Sequence, residues 1–418
     1  MGCLQARGVL LLPVLVVVAV AVCWMPLISS VVGEVTMVED DAGALHINTS
    51  DPMRQPVFVN GVNVHETLSM LMSTVSAQQN TINAQKNTNA LQRHRLCSLV
   101  NPSASTFGQL GSMSAKWLGG VLANNGLIYA APWYSPSVLI IDPSTNTVDT
   151  TTMSKLGTDI RKWAGATLAH NGRIYMFPSD RETMLIVNPD TNEVDTSSVH
   201  SLGTGTFKWL SGIVASNGLI FGIPYFATSV LIIDPLTNTA DNTTLSGLSS
   251  QGLKWYGGVQ AGNGLIYCIP RSTSSVLIVN PEFLAMDLTT ISGLCSSHKW
   301  YGGVLAENGL IYTIPAFSAT ALVIDPATNA TDELLVVDAT GSAKWAGGVL
   351  ARNGIIVGIP FSSASVLFVD PTTNATDMTT INDLAGFYKW FDGVLAPNGL
   401  VYSIPHNAES VLVIDPGC

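Results

Sequence analysis

The sequence has little charge. Of its 418 residues, 11% are Asp, Glu, Lys or Arg and 47% are hydrophobic. This excludes a disordered chain, which needs high charge and few apolar residues. The 18 Lys and Arg are outnumbered by 29 Asp and Glu, for a net charge of −11. Proteins that neutralise nucleic-acid phosphates normally carry the opposite sign, so we predict no nucleic-acid partner.

Long hydrophobic runs are also scarce, which excludes a multi-span membrane protein. The one long run, residues 8–32, follows a single basic residue, Arg7, and precedes Glu34. We interpret residues 1–33 either as a signal-anchor, with residues 8–32 in the membrane, or as a signal peptide cleaved after Gly33. Both interpretations export the rest, so the protein is expected to be membrane-anchored and extracytoplasmic, or secreted.

Enzyme and metal signatures are missing. The chain has no GxSxG, no HExxH and no phosphate-cradling glycine loop. None of its six cysteines forms a CxxC pair, so zinc is not expected. Repeated Asp-Pro-x-Thr-Asn segments lack the dense oxygen series of a calcium loop and predict capped turns. We predict no cofactor and no metal, and whether the protein is an enzyme stays open.

Residues 34–97 form a polar stalk between the amino-terminal segment and a set of repeats. Positions from Val64 to Leu96 follow heptad spacing, apolar at first and amide-rich later. This pattern predicts a helix that forms either a coiled coil over residues 64–96, making the stalk oligomeric, or a single polar helix acting as a spacer.

What the sequence does contain is seven copies of one unit. Each copy opens on a Lys-Trp pair, and successive pairs are 45 or 46 residues apart. Within the unit, GGVLA, LIYAAP and VLIIDP read as strands, Asn-Gly as a two-residue hairpin turn with positive φ at both positions, and the Thr-rich stretch as a fourth strand. Four short antiparallel strands per copy are typical of a propeller blade.

The ends of the chain support ring closure. The last copy stops after its third strand, and residues 102–110 align one period ahead of the Thr-rich stretch. We therefore predict an all-β, seven-bladed propeller over residues 98–418 whose last blade takes its fourth strand from the amino-terminal side. Closure would also bring Cys97 near Cys418, and we predict a disulfide between them. Cys268 and Cys295 are expected to be buried thiols.

The repeat resembles the YncE-type branch of seven-bladed propellers, in a kelch-like arrangement. The resemblance lies in GGVLANNGLIY and VLIIDPSTNTV and covers residues ~100–418. The Lys before the Trp and the Pro after the second strand depart from that pattern. The unit is also similar to repeats in uncharacterised exported proteins of unicellular eukaryotes. The resemblance implies fold and export but no reaction, because propellers host many functions.

Two sets of residues are candidates for ligand binding on one face of the propeller. The first is a ring of lysines that would either bind an anion at the channel mouth or pack against the Trp rings: Lys116, Lys162, Lys208, Lys254, Lys299, Lys344 and Lys389. The second lies in or beside loops that differ most among copies: Trp133, Tyr134, Tyr225, Phe226, Arg271, Phe317, Phe361 and His406. The alternative interpretation of this variation is ordinary loop drift after duplication. Asn-x-Ser/Thr triplets mark candidate glycosylation sites at Asn48, Asn242, Asn329 and Asn374.

These features predict an exported binding protein whose propeller face recognises an anionic or carbohydrate-bearing ligand. One alternative is a structural or adhesive surface protein with protein partners. Another is a hydrolase or lyase that uses polar residues facing the channel, such as Asp392, His298 and His406.

Overall fold

The structure is a computed structural model that describes residues 35–39, 45–49, 57–59, 62–97, 101–295 and 298–417. The predicted signal or anchor, residues 1–33, lies outside these residues, and so does Cys418. Within the described ranges, no helix combines the length and apolar character that a membrane crossing requires. The chain divides into two units, Met1–Lys86 and Asn87–Cys418.

The amino-terminal region contains two hairpins and a helix. Strands β1 (Val35–Glu39) and β2 (Leu45–Thr49) pair antiparallel, as do β3 (Phe58–Val59) and β4 (Val62–Asn63). The sequence analysis missed both hairpins. Helix α1 (Val64–Cys97) confirms the predicted helix. Its heptad side chains Leu68, Leu71, Val75 and Ile82 are exposed, and their pairing in a coiled coil stays a prediction.

The repeats form seven four-stranded antiparallel sheets, which confirms the seven-bladed propeller. The inner strands are β6 (Trp117–Leu122), β10 (Trp163–Leu168), β14 (Trp209–Val214), β18 (Trp255–Gln260), β22 (Trp300–Leu305), β26 (Trp345–Leu350) and β30 (Trp390–Leu395). The second strands are β7 (Ile128–Pro132), β11 (Ile174–Pro178), β15 (Ile220–Pro224), β19 (Ile266–Pro270), β23 (Ile311–Pro315), β27 (Ile356–Pro360) and β31 (Val401–Pro405). The second strand of each blade is fully buried, because its two faces pack against neighbouring blades.

The third and fourth strands complete each blade. The third strands are β8 (Leu139–Asp142), β12 (Leu185–Asn188), β16 (Leu231–Asp234), β20 (Leu277–Asn280), β24 (Thr320–Asp325), β28 (Leu367–Asp370) and β32 (Val411–Asp415). The fourth strands are β9 (Thr147–Asp149), β13 (Glu193–Asp195), β17 (Thr239–Asp241), β21 (Ala285–Asp287), β25 (Ala330–Leu335), β29 (Ala375–Asp377) and β5 (Ser103–Phe107). Strand β5 pairs with β32, which confirms the predicted closure.

The outer strands end earlier than the sequence predicted. In the first blade the Thr-rich stretch is a turn, because the Asp149 carboxylate accepts hydrogen bonds from the main-chain N–H groups of Thr151 and Thr152. The fifth blade is an exception, as is the seventh, whose fourth strand is β5. In the fifth blade Asp332 is followed by Glu333 and two leucines, the hydroxyl donors are missing, and β25 continues to Leu335.

The Asn-Gly turn differs from the predicted two-residue type. In the first blade the loop spans three residues, because Ala123 N–H donates to the Leu127 carbonyl and Gly126 N–H donates back to Ala123. Only Gly126 has positive φ, at 84°, and the Asn125 side chain accepts from Leu127 N–H. A type I turn followed by a left-handed glycine suits this hairpin length, so asparagine need not adopt the left-handed conformation.

The same asparagines join neighbouring blades. In each copy the side-chain amide donates to the carbonyl of the proline in the next blade's Asp-Pro turn, and Asn398 of the last blade donates to Pro143 of the first. The other donors are Asn125, Asn171, Asn217, Asn263, Asn308 and Asn353. The ring of hydrogen bonds is therefore closed without a gap.

The repeat tryptophans fill the space between blades. Trp163 packs with Tyr129 and Ile140 of the first blade and with Ile174 of its own, and its indole N–H donates to the Thr183 carbonyl. Next to each tryptophan the inner strand carries a bulge near the axis. Gly119 there has φ 80°, and a Cβ on it would lie 2.9 Å from the Gly165 Cα. Glycine is required because backbones approach this closely.

Candidate functional site

One face of the propeller carries an apolar cluster that surrounds the axis. Every inner strand contributes the residue after its tryptophan: Leu118, Ala164, Leu210, Tyr256, Tyr301, Ala346 and Phe391. At its centre the rings of Tyr256, Tyr301 and Phe391 contact one another with centroids 5.3–5.8 Å apart. We call this set, with the loop aromatics that pack on it, the axial cluster.

The structure brings the six predicted loop aromatics together on the axial cluster. Trp133, Tyr225 and Phe361 are buried in it, and Tyr134, Phe226 and Phe317 are half-buried against it. Of the residues that precede the lysines, the sequence analysis named His298 but missed others, including Phe207 and Tyr388, whose rings also join this face. The sequence could have identified them, because the residue before each lysine varies among copies as the loops do.

The seven lysines occupy the junctions between blades. Each main-chain N–H donates to the carbonyl of the residue after proline in the preceding blade, such as Lys208 to Ser179. All seven side chains are buried, with 0–5% of their surface exposed. Each ammonium group donates to main-chain carbonyls: Lys116 to Met113 and Asn407; Lys162 to Asp159 and Trp133; Lys208 to Ser179, Arg181 and Gly205; Lys254 to Gln251; Lys299 to Thr273 and Cys295; Lys344 to Ala316, Ser318 and Gly341; Lys389 to Phe361, Ser363 and Gly386.

This geometry differs from the expected ring of ammonium groups around an open mouth. The Lys299, Lys344 and Lys389 ammonium groups lie 5.3–5.8 Å from the rings of the tryptophans that follow them. Burial lowers the pKa of Lys208 to about 8. Buried ammonium groups that already donate to carbonyls are poorly accessible to a ligand, so a direct binding role for these lysines stays only a sequence prediction.

Arg271 occupies the loop position after Pro270 and lies inside the aromatic surroundings. Its Nε donates to the Tyr301 hydroxyl at 2.9 Å. The guanidinium carbon lies 5.0–5.6 Å from the ring centroids of Tyr225, Tyr301 and Phe317. The side chain is 7% exposed, and Nη1 has no hydrogen-bond partner among the described residues.

The other polar loop candidates have local partners. His406 lies against Phe361, its Nδ1 is 3.2 Å from the Trp117 carbonyl oxygen, and burial lowers its pKa to about 4. Arg161 Nε forms an ion pair with Asp180 at 2.9 Å. The Arg181 guanidinium forms another with Asp159. At neutral pH His406 is therefore uncharged, and both of these arginines are matched by carboxylates.

An axial cavity of about 150 Å³ lies beside the axial cluster. Its lining includes Tyr256, Ser211, bulge glycines of several inner strands and Asp392. Asp392 stands where most copies carry glycine and has φ 71°. Burial raises the pKa of its carboxyl to about 6, although the main-chain N–H groups of Gly393 and Gly120 oppose this shift. The cavity thus holds one carboxyl group that can change protonation near neutral pH.

The Asp-Pro turns carry carboxylates that bond to their own turns. Asp142 accepts from the main-chain N–H and the hydroxyl of Ser144, as predicted for a capped turn. Among the described residues no group of three or more His, Cys, Asp or Glu side chains is placed to hold a metal ion.

The remaining predicted sites divide between described and undescribed residues. Asn374 is exposed, Asn242 and Asn329 are half-buried, and the side chain of Asn48 lies outside the described set. The side chain of Cys97 and all of Cys418 also lie outside it. Cys268 is buried as expected, whereas Cys295 is exposed, because it lies in the long loop before Lys299. Glycosylation at the four asparagines and the Cys97–Cys418 disulfide stay predictions.

Comparison with known proteins shows the fold. No family model matches the chain, and no curated protein matches it. Among solved structures it is similar to a streptogramin B lyase (TM-score 0.60, 9% identity, covering 75% of this chain and 98% of that one). A catalytically inactive virginiamycin B lyase from Staphylococcus aureus with quinupristin gives a TM-score of 0.62 at 7% identity, covering 75% and 99%. The extracellular domain of a putative hybrid two component system from B. thetaiotaomicron gives a TM-score of 0.56 at 9% identity, covering 76% of this chain and 43% of that chain.

Proposed function

We propose that the chain is an extracytoplasmic binding protein whose propeller recognises an anionic or carbohydrate-bearing ligand at the face of the axial cluster. The observation that carries this proposal is the convergence of aromatic loop residues from separate blades onto one face. Tyr134, Phe226 and Phe317 are partly exposed there, and Phe387 is 75% exposed. Flat apolar rings beside polar groups suit sugars and other ring-bearing ligands.

The contrast between framework and loops supports the same assignment. Lysine, tryptophan and asparagine contacts repeat from blade to blade and hold the ring together, whereas the loop residues differ in each copy. A rigid framework with variable loops is a common arrangement for binding. Placement outside the cytoplasm rests on the hydrophobic run at residues 8–32, and the similar solved structures include extracellular domains.

A second candidate function is catalysis at the axial cavity. Asp392 favours it, because a carboxyl with a pKa of about 6 can exchange a proton at neutral pH. The similarity to lyase structures concerns the fold alone, at 7–9% identity. Turnover that Asp392→Asn abolishes would support an enzyme. A third possibility, an adhesive head for protein partners, predicts binding to a surface protein and none to free glycans.

A glycan-array screen with the full chain tests the proposed binding. We expect selective binding that Tyr134→Ala and Phe226→Ala weaken about tenfold or more, because each removes a partly exposed ring from the face. Phe283→Ala is the matched control, since Phe283 is 83% exposed in an Asp-Pro-type turn of the opposite face. Equal loss in all three variants would contradict binding at this face, and no glycan binding by the folded wild type would contradict carbohydrate recognition. Lysine variants are poor probes here, because their removal disturbs the blade junctions.

A further inference from the structure

Arg271 is a buried cation with an unused donor. Only its Nε has a hydrogen-bond partner, the Tyr301 hydroxyl, among the described residues. Nη1 is inaccessible to water and unpaired. Burying a charged group without hydrogen-bond partners is costly, and such a group in a native fold calls for an explanation.

The surroundings of Arg271 are aromatic and positively charged. Tyr225, Tyr301 and Phe317 supply ring faces that partly compensate the cation. His298 lies against Phe317 with ring centroids 5.4 Å apart. Burial, followed by the nearby charges of Arg271 and Lys299, lowers the pKa of His298. In a protein of net charge −11, Arg271 and Lys299 make these surroundings a local positive site.

The contrast with Arg161 shows what Arg271 lacks. Both arginines lie over an aromatic ring on the same face, and the Arg161 guanidinium carbon is 4.7 Å from the Phe207 ring centroid. Arg161 is matched by the carboxylate of Asp180. No ion pair of Arg271 occurs in the described part of the chain. Arg271 therefore has the aromatic contacts but lacks a carboxylate partner.

We propose that the Arg271 pocket binds the carboxylate of a ring-bearing acidic ligand, which supplies the partner that Asp180 supplies to Arg161. This rests on the proposed binding function and names the chemical class of the ligand. One carboxylate balances the single unpaired positive charge, and its flat shape allows paired hydrogen bonds with a guanidinium edge. The ligand ring packs on the aromatic walls. Among these walls, Phe317 is the half-buried one.

Thermal unfolding of the full chain with matched acid and neutral probes tests this inference. The probes are benzoate against benzamide, and glucuronate against glucose, so that the two arms separate an aromatic acid from a sugar acid. We expect at least one acid to raise the melting temperature of the wild type by about 3 °C near saturation, while its neutral counterpart does not. Arg271→Gln should lose this rise and Arg161→Gln should keep it.

Several results would overturn the inference. One is that neither acid stabilises the wild type, and another is that the acid stabilises Arg271→Gln as much as the wild type. If Arg271→Gln fails to fold, Arg271→Lys serves in its place: it keeps the charge without the fork, and a rise equal to that of the wild type would contradict a guanidinium–carboxylate pairing. A glycan that binds equally to wild type and Arg271→Gln would overturn the acid pocket and leave the proposed function standing. Acid-specific stabilisation without any glycan hit would support the acid site and would contradict only the carbohydrate part of the proposed function.

Discussion

The main-chain N–H and the ammonium group of Lys208 both donate to the carbonyl of Ser179. The main-chain nitrogen lies 3.1 Å from the Ser179 oxygen, and the ammonium nitrogen lies 2.9 Å from it. The ammonium group also donates to Arg181 and Gly205. Similar contacts recur at the other blade junctions, so the lysines act as internal caps for carbonyls that the strands leave unpaired.

Lys208→Met is expected to lower the free energy of unfolding by about 3 kcal/mol, because it removes three ammonium hydrogen bonds at the blade junction. Chemical denaturation at neutral pH measures the loss. Lys155→Met is the control, since Lys155 is exposed and lies outside the junctions. A loss of the same size in both variants would contradict the capping role.

Asp392→Gly is expected to stabilise the protein at pH 7 by about 1–2 kcal/mol. The change restores the residue found in most copies, relieves φ 71° and removes a confined carboxylate. The folded-state pKa, about 6, lies above the ordinary value of 3.8. The folded state therefore binds the proton more tightly, and the wild type loses stability as the pH rises from about 4 to 6.

Denaturation of wild type and Asp392→Gly between pH 4 and pH 7 checks this sign. The stability difference should be smallest near pH 4 and should grow toward pH 7. A difference that stays constant across the series would show that Asp392 titrates normally, and only the backbone part of the prediction would remain.

Thr290→Val is expected to remove stability that depends on acid titration. The Thr290 hydroxyl, followed by the N–H and hydroxyl of Thr289, lowers the pKa of Asp287 to about 2. A depressed carboxyl pKa stabilises the fold above the ordinary value of 3.8, and that stability disappears as the pH falls toward 2. Unfolding measured from pH 5 to pH 2 should show a wild-type advantage at pH 5 that shrinks with acid; an advantage independent of pH would contradict the assignment.

Tyr175 and Asn238 are expected to couple in a double-mutant cycle. The Tyr175 hydroxyl donates to the Asn238 side-chain oxygen at 2.7 Å across a blade boundary. The third and fourth blades carry Phe221 and Leu284 at the equivalent positions, and these pack in one apolar cluster. Tyr175→Phe and Asn238→Leu should each cost about 1 kcal/mol, because each removes one partner of this hydrogen bond.

The double variant should recover part of that loss, since it recreates the Phe221–Leu284 pair. Denaturant unfolding of the four proteins measures the coupling. Strictly additive losses would show that the hydroxyl and the amide do not depend on each other.

The sequence by itself determined the architecture of the propeller. The period of 45–46 residues, the β-branched runs and the Asn-Gly and Asp-Pro turns are local signals, and each acts within one blade. The stop after the third strand in the last copy predicted that β5 would pair with β32, because an unpaired strand edge is unfavourable. It also predicted which loops share a face.

Only the tertiary structure decided which groups on that face are accessible to a ligand. Periodicity placed the lysines at the junctions, but their burial depends on carbonyls of the preceding blade that turn toward each ammonium group. Arg271, Tyr225 and Tyr301 come from three successive blades, and their contact depends on the curvature of the ring and on side-chain direction. Neither quantity is encoded in the spacing of residues along the chain, so a paired arginine and an unpaired one look alike in the sequence.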